Sequence, residues 1–428
     1  MNRYKILDII RRTSIVQKRD FYLHLMGEPS LNSLALSMQK DNLTSFLKRL
    51  RGNAFYGPLL NKVTDLVIES SPYDVLRSFP LTDKELLTKN YNLVRNSSIP
   101  GESGYTGGST GSPFHYFSGK KMLSSLTGYT MFLWSYLGGF EWEDNTIVVG
   151  GASIGEKESL KKNILHKLQR RTFISGGEIT EENAVKLSRS INEAAKPVIL
   201  YGYPSSICQY VNILERNNIP INSKRVKRIL TTSEMLSDEK KFKLEDYFQN
   251  KVVNLYGARD GGISAGSTDN KTFIYNGIDC VAESVEIDGI TELVLTNLDS
   301  DAFPFVRYRI GDVAEPITLS EGYPFVLKNL EGRTRDFINM GAQKRIHGSR
   351  INSVFNDLPI AEYQVLQYKD LSCDVRIQPS TTLTEEELSL LYSRLNVLLN
   401  GIPLNIQVVD TLIREKNNKL KNIISEVS

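Results

Sequence analysis

The run PVILYGY, residues 197–203, is a short apolar segment bounded by turn-forming residues, as a buried strand is. Runs of the same kind lie on either side of it, with helix-like stretches between them. The strand candidates are TIVVGG (146–151), PVILYGY (197–203), KRILTTS (227–233) and VVNLYG (252–257), and the helix-like stretches are TEENAVKLSRSINEAA (180–195) and DEKKFKLEDYF (238–248). This alternation predicts an α/β protein with mostly parallel, helix-covered sheets. Because ligands bind beyond the carboxyl ends of such strands, Ser233, Tyr256 and Gly257 are candidate site residues.

The part of the chain before these strands reads as helical. Apolar residues recur at helical spacing from residue 31 to about residue 95. After a segment rich in glycine and serine, 101–113, we expect Ser118 to cap a long apolar helix that ends at Gly138 and Gly139.

The part after these strands contains a second pattern. Residues 284–312 read as additional strands, and beyond Gly341 come strands EYQVLQYK, DVRIQPS and LNIQVVD with a helix opened by a Thr384–Glu387 capping box. We therefore predict a large N-terminal domain, 1–334, and a small, separate α+β C-terminal domain, 335–428.

Composition indicates a folded protein and excludes several partners. Of the 428 residues, 40% are hydrophobic and 24% charged, and the formal net charge is +3, too small to attract nucleic acid or an anionic membrane. The longest apolar stretch, 128–140, is too short to cross a bilayer, and the N-terminus has no secretory signal pattern. Cys208, Cys280 and Cys373 lie far apart in the sequence, which argues against a disulfide framework and against a zinc site. We expect a cytoplasmic protein that does not insert into membranes.

The strongest local motif is TGGSTGSP, Thr106–Pro113. Its glycines allow backbone N–H groups to encircle an anion, and its hydroxyls can donate to phosphate oxygens or position a metal. It lacks the GK[ST] of a Walker loop. A flexible surface linker is the competing interpretation.

This motif resembles the phosphate loop of the adenylate-forming superfamily, [ST]-[SG]-G-[ST]-[ST]-G-x-P. Four further segments are similar to the family's motifs and follow in its order: NLYGARDGG (254–262), FPFVRYRIGD (303–312), GRTRDFI (332–338) with Gly341, and NNKLK (417–421). The resemblance implies a large domain and a small mobile C-terminal domain. The residues that it implies for ATP and AMP binding are Thr106, Gly107, Gly108, Ser109, Thr110, Gly111, Ser233, Glu234, Tyr256, Gly257, Ala258, Arg259, Asp312 and Arg333.

The resemblance also implies individual roles. Asp260, where the family has Glu, would hold Mg²⁺, and Thr110 would donate to phosphate beside it. Asp312 would accept hydrogen bonds from the ribose hydroxyls. Lys419 would bring the final cation from the C-terminal domain, about a hinge at Arg335, where the family has Asp. Lys419, Thr110 and Asp260 are the implied catalytic residues.

Two softer matches point to one branch of the family. FPLTDK (79–84) with Asn90, and LYGYPSS (200–206), resemble the phenylacetate-CoA ligase and capsular-polysaccharide-biosynthesis (CapK-like) branch. That branch often carries a zinc-binding cysteine cluster, but only Cys280 lies in the corresponding region, so no zinc is expected. Trp134, Tyr203 and Pro204 are candidates for the acid pocket, and a place in the core is the competing interpretation of all three.

The family implies a two-step reaction. ATP would activate a small carboxylic acid as an acyl-adenylate with release of pyrophosphate, and the acyl group would pass to the thiol of CoA or of a carrier-protein pantetheine. An alternative acceptor is an amine, for example on an amino sugar in surface-polysaccharide biosynthesis. A non-catalytic nucleotide-binding protein is the alternative outside enzymes. The sequence does not indicate the carbon skeleton of the acid or the oligomeric state.

Overall fold

The computed structural model describes residues 3–28, 31, 34–106, 114–150, 166–287, 290–317, 324–333, 337–341, 345–355, 358–379, 381–414 and 420–427. Helices and strands are numbered along the chain. The helices are α1 (Arg3–Arg11), α2 (Ile15–Gly27), α3 (Ala35–Leu50), α4 (Asp65–Ser70), α5 (Pro72–Arg77), α6 (Lys84–Lys89), α7 (Tyr91–Val94), α8 (Lys120–Tyr136), α9 (Glu181–Asn192), α10 (Pro204–Arg216), α11 (Asp238–Phe248), α12 (Gly348–Asn352) and α13 (Glu385–Leu399). The strands are β1 (Gly101–Thr106), β2 (Phe114–Gly119), β3 (Asn145–Gly150), β4 (Arg171–Ser175), β5 (Val198–Gly202), β6 (Val226–Thr232), β7 (Val252–Ala258), β8 (Ile263–Ser267), β9 (Thr272–Tyr275), β10 (Cys280–Ile287), β11 (Ile290–Asn297), β12 (Tyr308–Arg309), β13 (Asp312–Ile317), β14 (Val326–Arg333), β15 (Phe337–Asn339), β16 (Arg345–His347), β17 (Ile360–Gln367), β18 (Cys373–Pro379), β19 (Leu404–Val408) and β20 (Ile423–Ser425).

The chain divides into two compact units. The first contains residues 1–144 and 253–330, and the second contains 145–252 and 331–428. The predicted C-terminal domain, 335–428, lies within the second unit, and the boundary predicted for it at 334 stays a prediction.

The second unit contains the parallel strands that the sequence predicts. β3 pairs in parallel with β4 and β5, and β5 pairs in parallel with β6. β3 and β5 are almost continuously apolar and buried because helices cover both faces of such a sheet. α9, α10 and α11 supply the covering side chains, among them Leu187, Val211 and Leu244. The predicted α/β fold class is confirmed.

The first unit combines helices with antiparallel strands. α8 packs across β8, where Thr130 and Ser264 share a hydrogen bond of 3.0 Å. The predicted cap at Ser118 is wrong. Residues 114–119 form β2, which pairs along its whole length with β1, so Ser118 is a strand residue opposite Glu102 and the helix begins at Lys120.

The C-terminal part of the second unit has its own sheet and core. The strand order is β19-β18-β17-β20, and α13 packs Leu391, Leu395 and Leu399 into the apolar cluster beneath it. The predicted capping box is confirmed: Thr384 accepts from the backbone N–H of Glu387, and the Glu387 carboxylate accepts from that of Thr384.

The three cysteines are buried and reduced, and burial raises the pKa of Cys208 and Cys373 to about 12. Across the described parts of the chain, no helix has both the length and the apolar character that crossing a membrane requires.

Candidate active site

Asp260 is the centre of a polar cluster in the first unit. It lies in the turn after β7 and is 7% exposed. The Tyr308 hydroxyl donates to Asp260 Oδ2 over 2.9 Å, and the Lys84 ammonium lies 3.5 Å from the same oxygen. Three segments far apart in the sequence therefore meet at one buried carboxylate.

Two glycines shape the turn that carries Asp260. Gly261 and Gly262 have φ of +83° and +67°, a conformation that glycine adopts without strain. The buried side-chain amides of Asn276 and Asn297 donate to the Gly262 carbonyl over 3.1 and 3.0 Å. The orientation of Asp260 is thus fixed by backbone geometry and by buried hydrogen bonds.

Tyr256 and Asp312 form a second polar pair in the same unit. The Tyr256 hydroxyl donates to Asp312 Oδ2 over 2.6 Å, and Asp312 is 8% exposed. Asp312 begins β13 directly after Gly311, which has φ of +79°. A carboxylate beside an aromatic ring suits the ribose hydroxyls and the flat base of a nucleotide.

The glycine-rich motif connects the two arms of the β1–β2 hairpin. At the loop end of the hairpin Phe114 stacks on Tyr308, with ring centroids 6.2 Å apart. Burial, with a smaller contribution from the nearby Asp260 carboxylate, raises the pKa of Tyr116 to about 12. Thr106 ends β1, and its hydroxyl is buried with no hydrogen-bond partner among the described residues. The loop end of the hairpin therefore lies beside Asp260.

The loop residues themselves, Gly107, Gly108, Ser109, Thr110 and Gly111, lie outside the described residues, as do Arg335 and Lys419. Arg333 is the last residue of β14. The roles given to these residues by resemblance stay predictions.

The arginines before Asp312 are paired. Arg309 forms two hydrogen bonds of 2.8 Å to the Glu292 carboxylate, and Arg307 bonds Glu283 over 3.2 Å. These pairs hold the RYRIGD strand against its neighbours, so Tyr308 and Asp312 have fixed positions.

Other predicted residues lie in the second unit. Ser233 follows β6 with φ of +66°, and the next residue, Glu234, accepts a hydrogen bond of 3.2 Å from the backbone N–H of Ser205. Pro204 is the first residue of α10, and the backbone N–H of Tyr203 donates to Val149. The sequence thus places a carboxylate at the start of α10, where the helix dipole favours it.

The remaining predicted residues lie at the end of β7 and in α8. Gly257 and Ala258 end β7, and Arg259 follows on the exposed side of the turn. In the first unit Trp134 is 3% exposed and packs edge-on against Phe140, as a core residue does. Its role in an acid pocket stays a prediction.

Asp260 has the chemistry of a magnesium ligand. Mg²⁺ is usually held by one or two carboxylates together with phosphate oxygens and water, and Asp260 offers one fixed carboxylate beside the β1–β2 hairpin. Among the described residues no group of three or more His, Cys, Asp or Glu could hold a metal ion by itself.

Sequence reasoning gave no role to Lys84 or Tyr308, although both lie inside quoted motifs. Lys84 ends the FPLTDK match and Tyr308 is central in FVRYRIGD. The available signal was that Lys84 lies in a segment similar to the branch and Tyr308 in a segment similar to the whole family. Their contact with Asp260 is a tertiary feature.

Solved structures that resemble the chain are adenylate-forming ligases. 2-Hydroxyisobutyryl-CoA ligase, in the postadenylation state with 2-HIB-AMP, superposes with a TM-score of 0.67 over 91% of this chain and 89% of that one, at 15% identity. The anthranilate CoA ligase AuaEII with anthranoyl-AMP gives a TM-score of 0.52 over 74% of this chain and 65% of that one, at 13% identity. The likeness establishes the fold.

Two curated proteins are similar to the chain in sequence. Protein CapK of Staphylococcus aureus is 24% identical over 314 residues, 70% of this chain and 68% of that protein. Indoleacetate–lysine synthetase of Pseudomonas savastanoi is 28% identical over 174 residues, so the match spans 40% of this chain and 40% of that synthetase. No family profile matches the chain.

The fold is that of the adenylate-forming ligases. In sequence the chain is similar to Protein CapK, and its FPLTDK and LYGYPSS segments resemble the CapK-like branch of that superfamily.

Proposed function

We propose that the protein uses ATP to activate a carboxylic acid as an acyl-adenylate and then transfers the acyl group to a thiol. The observation that best supports the proposal is the cluster around Asp260, where the phosphate-loop hairpin, the YGARDGG turn and the RYRIGD strand come together. Each of these segments resembles a motif of the adenylate-forming superfamily.

In the first step a carboxylate oxygen attacks the α-phosphorus of ATP, and the bond to the β-phosphate breaks to release pyrophosphate. Two anions have to approach each other, so positive charge and fixed orientation are required. Asp260 would hold Mg²⁺ together with phosphate oxygens, and the metal would supply part of that charge. Thr110 and Ser109 would donate to the phosphates, Asp312 would orient the ribose, and Lys419 would add an ammonium.

In the second step the thiol of CoA or of a carrier-protein pantetheine attacks the acyl carbon, and AMP leaves. The C-terminal residues 335–428 would turn about Arg335 between the steps, which withdraws Lys419 and admits the acceptor. Ser233, Glu234, Tyr203, Pro204 and Trp134 would contribute to the nucleotide and acid pockets.

Transfer to an amine is a second candidate for the acceptor step. It is favoured by the similarity to indoleacetate–lysine synthetase, whose name pairs a carboxylic acid, indoleacetate, with the amino acid lysine. The adenylation step is the same in both candidates.

The decisive experiment is carboxylate-dependent exchange of labelled pyrophosphate into ATP over a panel of carboxylic acids. Exchange with at least one acid is expected, and its absence with every acid would leave a nucleotide-binding protein without turnover. Adding CoA, a pantetheine carrier or an amine to an active mixture then separates the two acceptor classes.

Lys419→Ala tests the mobile lysine. We expect adenylation to slow by about 10²-fold or more, because a preorganised cation at the transferring phosphoryl group is lost. Acyl transfer from preformed acyl-adenylate should remain near the wild-type rate. Lys421→Ala, two residues away, is the matched control, and wild-type exchange by the Lys419 variant would remove this lysine from the mechanism.

A further inference from the structure

Lys84 makes a contact that fold stability does not explain. Its ammonium lies 3.5 Å from Asp260 Oδ2, and the two side chains are 30% and 10% exposed. Partly exposed ion pairs of this kind contribute about 1 kcal/mol or less to stability. The same carboxylate oxygen also accepts a hydrogen bond from Tyr308, a neutral donor.

Hydrogen bonds fix the backbone next to Lys84. Thr82, two residues earlier, is 1% exposed and pairs with the RYRIGD strand: its N–H donates to the Arg307 carbonyl over 2.9 Å, and its carbonyl accepts from Arg309 over 2.8 Å. The Thr82 hydroxyl donates to Val306 over 2.8 Å. Lys84 is therefore held on the strand that carries Tyr308 and leads to Asp312.

The start of α6 is also fixed. The Asp83 side chain caps the helix by accepting from the backbone N–H of Leu86 over 2.8 Å. Because the backbone on both sides of Lys84 is anchored, its side chain leaves the backbone at a fixed position within reach of Asp260. A lysine ammonium is a compact donor that suits phosphate oxygens.

We propose that Lys84 is a phosphate-binding residue that contacts the triphosphate of ATP beside Asp260. This inference rests on the proposed function, because it requires ATP at the Asp260 cluster. Lys84 contacts the carboxylate of Asp260 in the structure; with ATP bound, phosphate oxygens take the place of that carboxylate.

The test is nucleotide affinity of Lys84→Met, measured by titration calorimetry with ATP and with AMP, each with Mg²⁺ and again with EDTA. We expect ATP to bind at least about tenfold more weakly, with and without Mg²⁺, because a charge-assisted hydrogen bond is lost. AMP binding should be unchanged within about twofold, since AMP lacks the outer phosphates. Lys84→Arg should restore most of the ATP affinity.

Lys89→Met is the matched control, because Lys89 is an exposed lysine at the other end of the same helix and the change in net charge is identical. Equal ATP affinity in Lys84→Met and Lys89→Met would overturn the inference. So would a loss confined to the Mg²⁺ series, because Lys84 would then act only through Asp260. If the wild-type protein itself binds no ATP, the proposed function fails first, and thermal melting of each variant identifies one that is unfolded.

Discussion

Asp312 accepts a short hydrogen bond from Tyr256 in a buried position, and we propose that it recognises the ribose of the nucleotide. Asp312→Asn keeps the shape but replaces one acceptor oxygen by a donor. We expect the affinity for ATP and for AMP to fall together by about tenfold, because both nucleotides carry the ribose. Binding titrations with the two nucleotides measure this directly.

The chain offers a matched control for that change. Tyr368 donates to Asp374 over 2.9 Å in the C-terminal sheet, a pair of the same chemistry in the other unit. Asp374→Asn should leave nucleotide affinity unchanged. A loss of ATP affinity without a loss of AMP affinity in Asp312→Asn would contradict the ribose role and point to the phosphates.

Among the structural elements, the turn after β7 has the backbone that fixes the orientation of Asp260. Gly262 has φ of +67°, and a Cβ added there would lie 2.2 Å from Asn297 Nδ2. We expect Gly262→Ala to lower the free energy of unfolding by about 1–3 kcal/mol, from backbone strain and displacement of that amide. Urea denaturation measures the change.

Gly401→Ala is the control that separates backbone strain from displacement of the Asn297 amide. Gly401 also has positive φ, at +87°, but no heavy atom lies within 4 Å of an added Cβ, so only backbone strain applies. The Gly262 variant should be the less stable of the two and should also bind ATP more weakly. Equal stability of the Gly262 and Gly401 variants, with normal ATP binding, would contradict this prediction. It would mean that the Asn297 side chain moves aside without displacing Asp260.

Elements whose signal is local could be predicted from the sequence, and those set by distant pairing could not. Apolar runs located β3, β5, β6 and β7 to within two residues, and the Thr384–Glu387 pattern located the start of α13. Ser118 looked like a helix cap because capping residues precede apolar helices, yet its segment pairs with β1. Local sequence does not encode that pairing.

The same distinction applies to the candidate site. The motif segments indicated Tyr256, Asp260 and Asp312, because a family resemblance carries residues over one by one. The contact of Lys84 with Asp260 depends on the pairing of Thr82 with the RYRIGD strand, and no spacing within either segment predicts it.

At the scale of the whole molecule, Glu362 joins two distant parts of the second unit. It is 7% exposed, accepts from Lys240 of α11 over 3.0 Å and pairs with Arg414, five residues before Lys419. Burial opposes the charge on Lys240, but the carboxylates of Glu362 and Glu234 outweigh it and raise the pKa of Lys240. A turn of residues 335–428 about Arg335 would have to break the Lys240 pair.

Glu362→Gln should therefore destabilise the protein by about 3–5 kcal/mol at neutral pH, because it leaves two buried cations without their carboxylate. Chemical denaturation measures this, and Glu215→Gln is the control: its pair with Lys243 is 3.8 Å long and exposed, so its loss should cost about 1 kcal/mol or less.

The raised pKa of Lys240 also determines how the stability depends on pH. The ion pair stabilises the fold fully below the ordinary lysine pKa of 10.5 and is lost as pH rises through the higher folded value, so the difference between wild type and Glu362→Gln should shrink above about pH 10.5. A difference of less than 1 kcal/mol at neutral pH would mean that the pair is not what holds α11 to the C-terminal sheet.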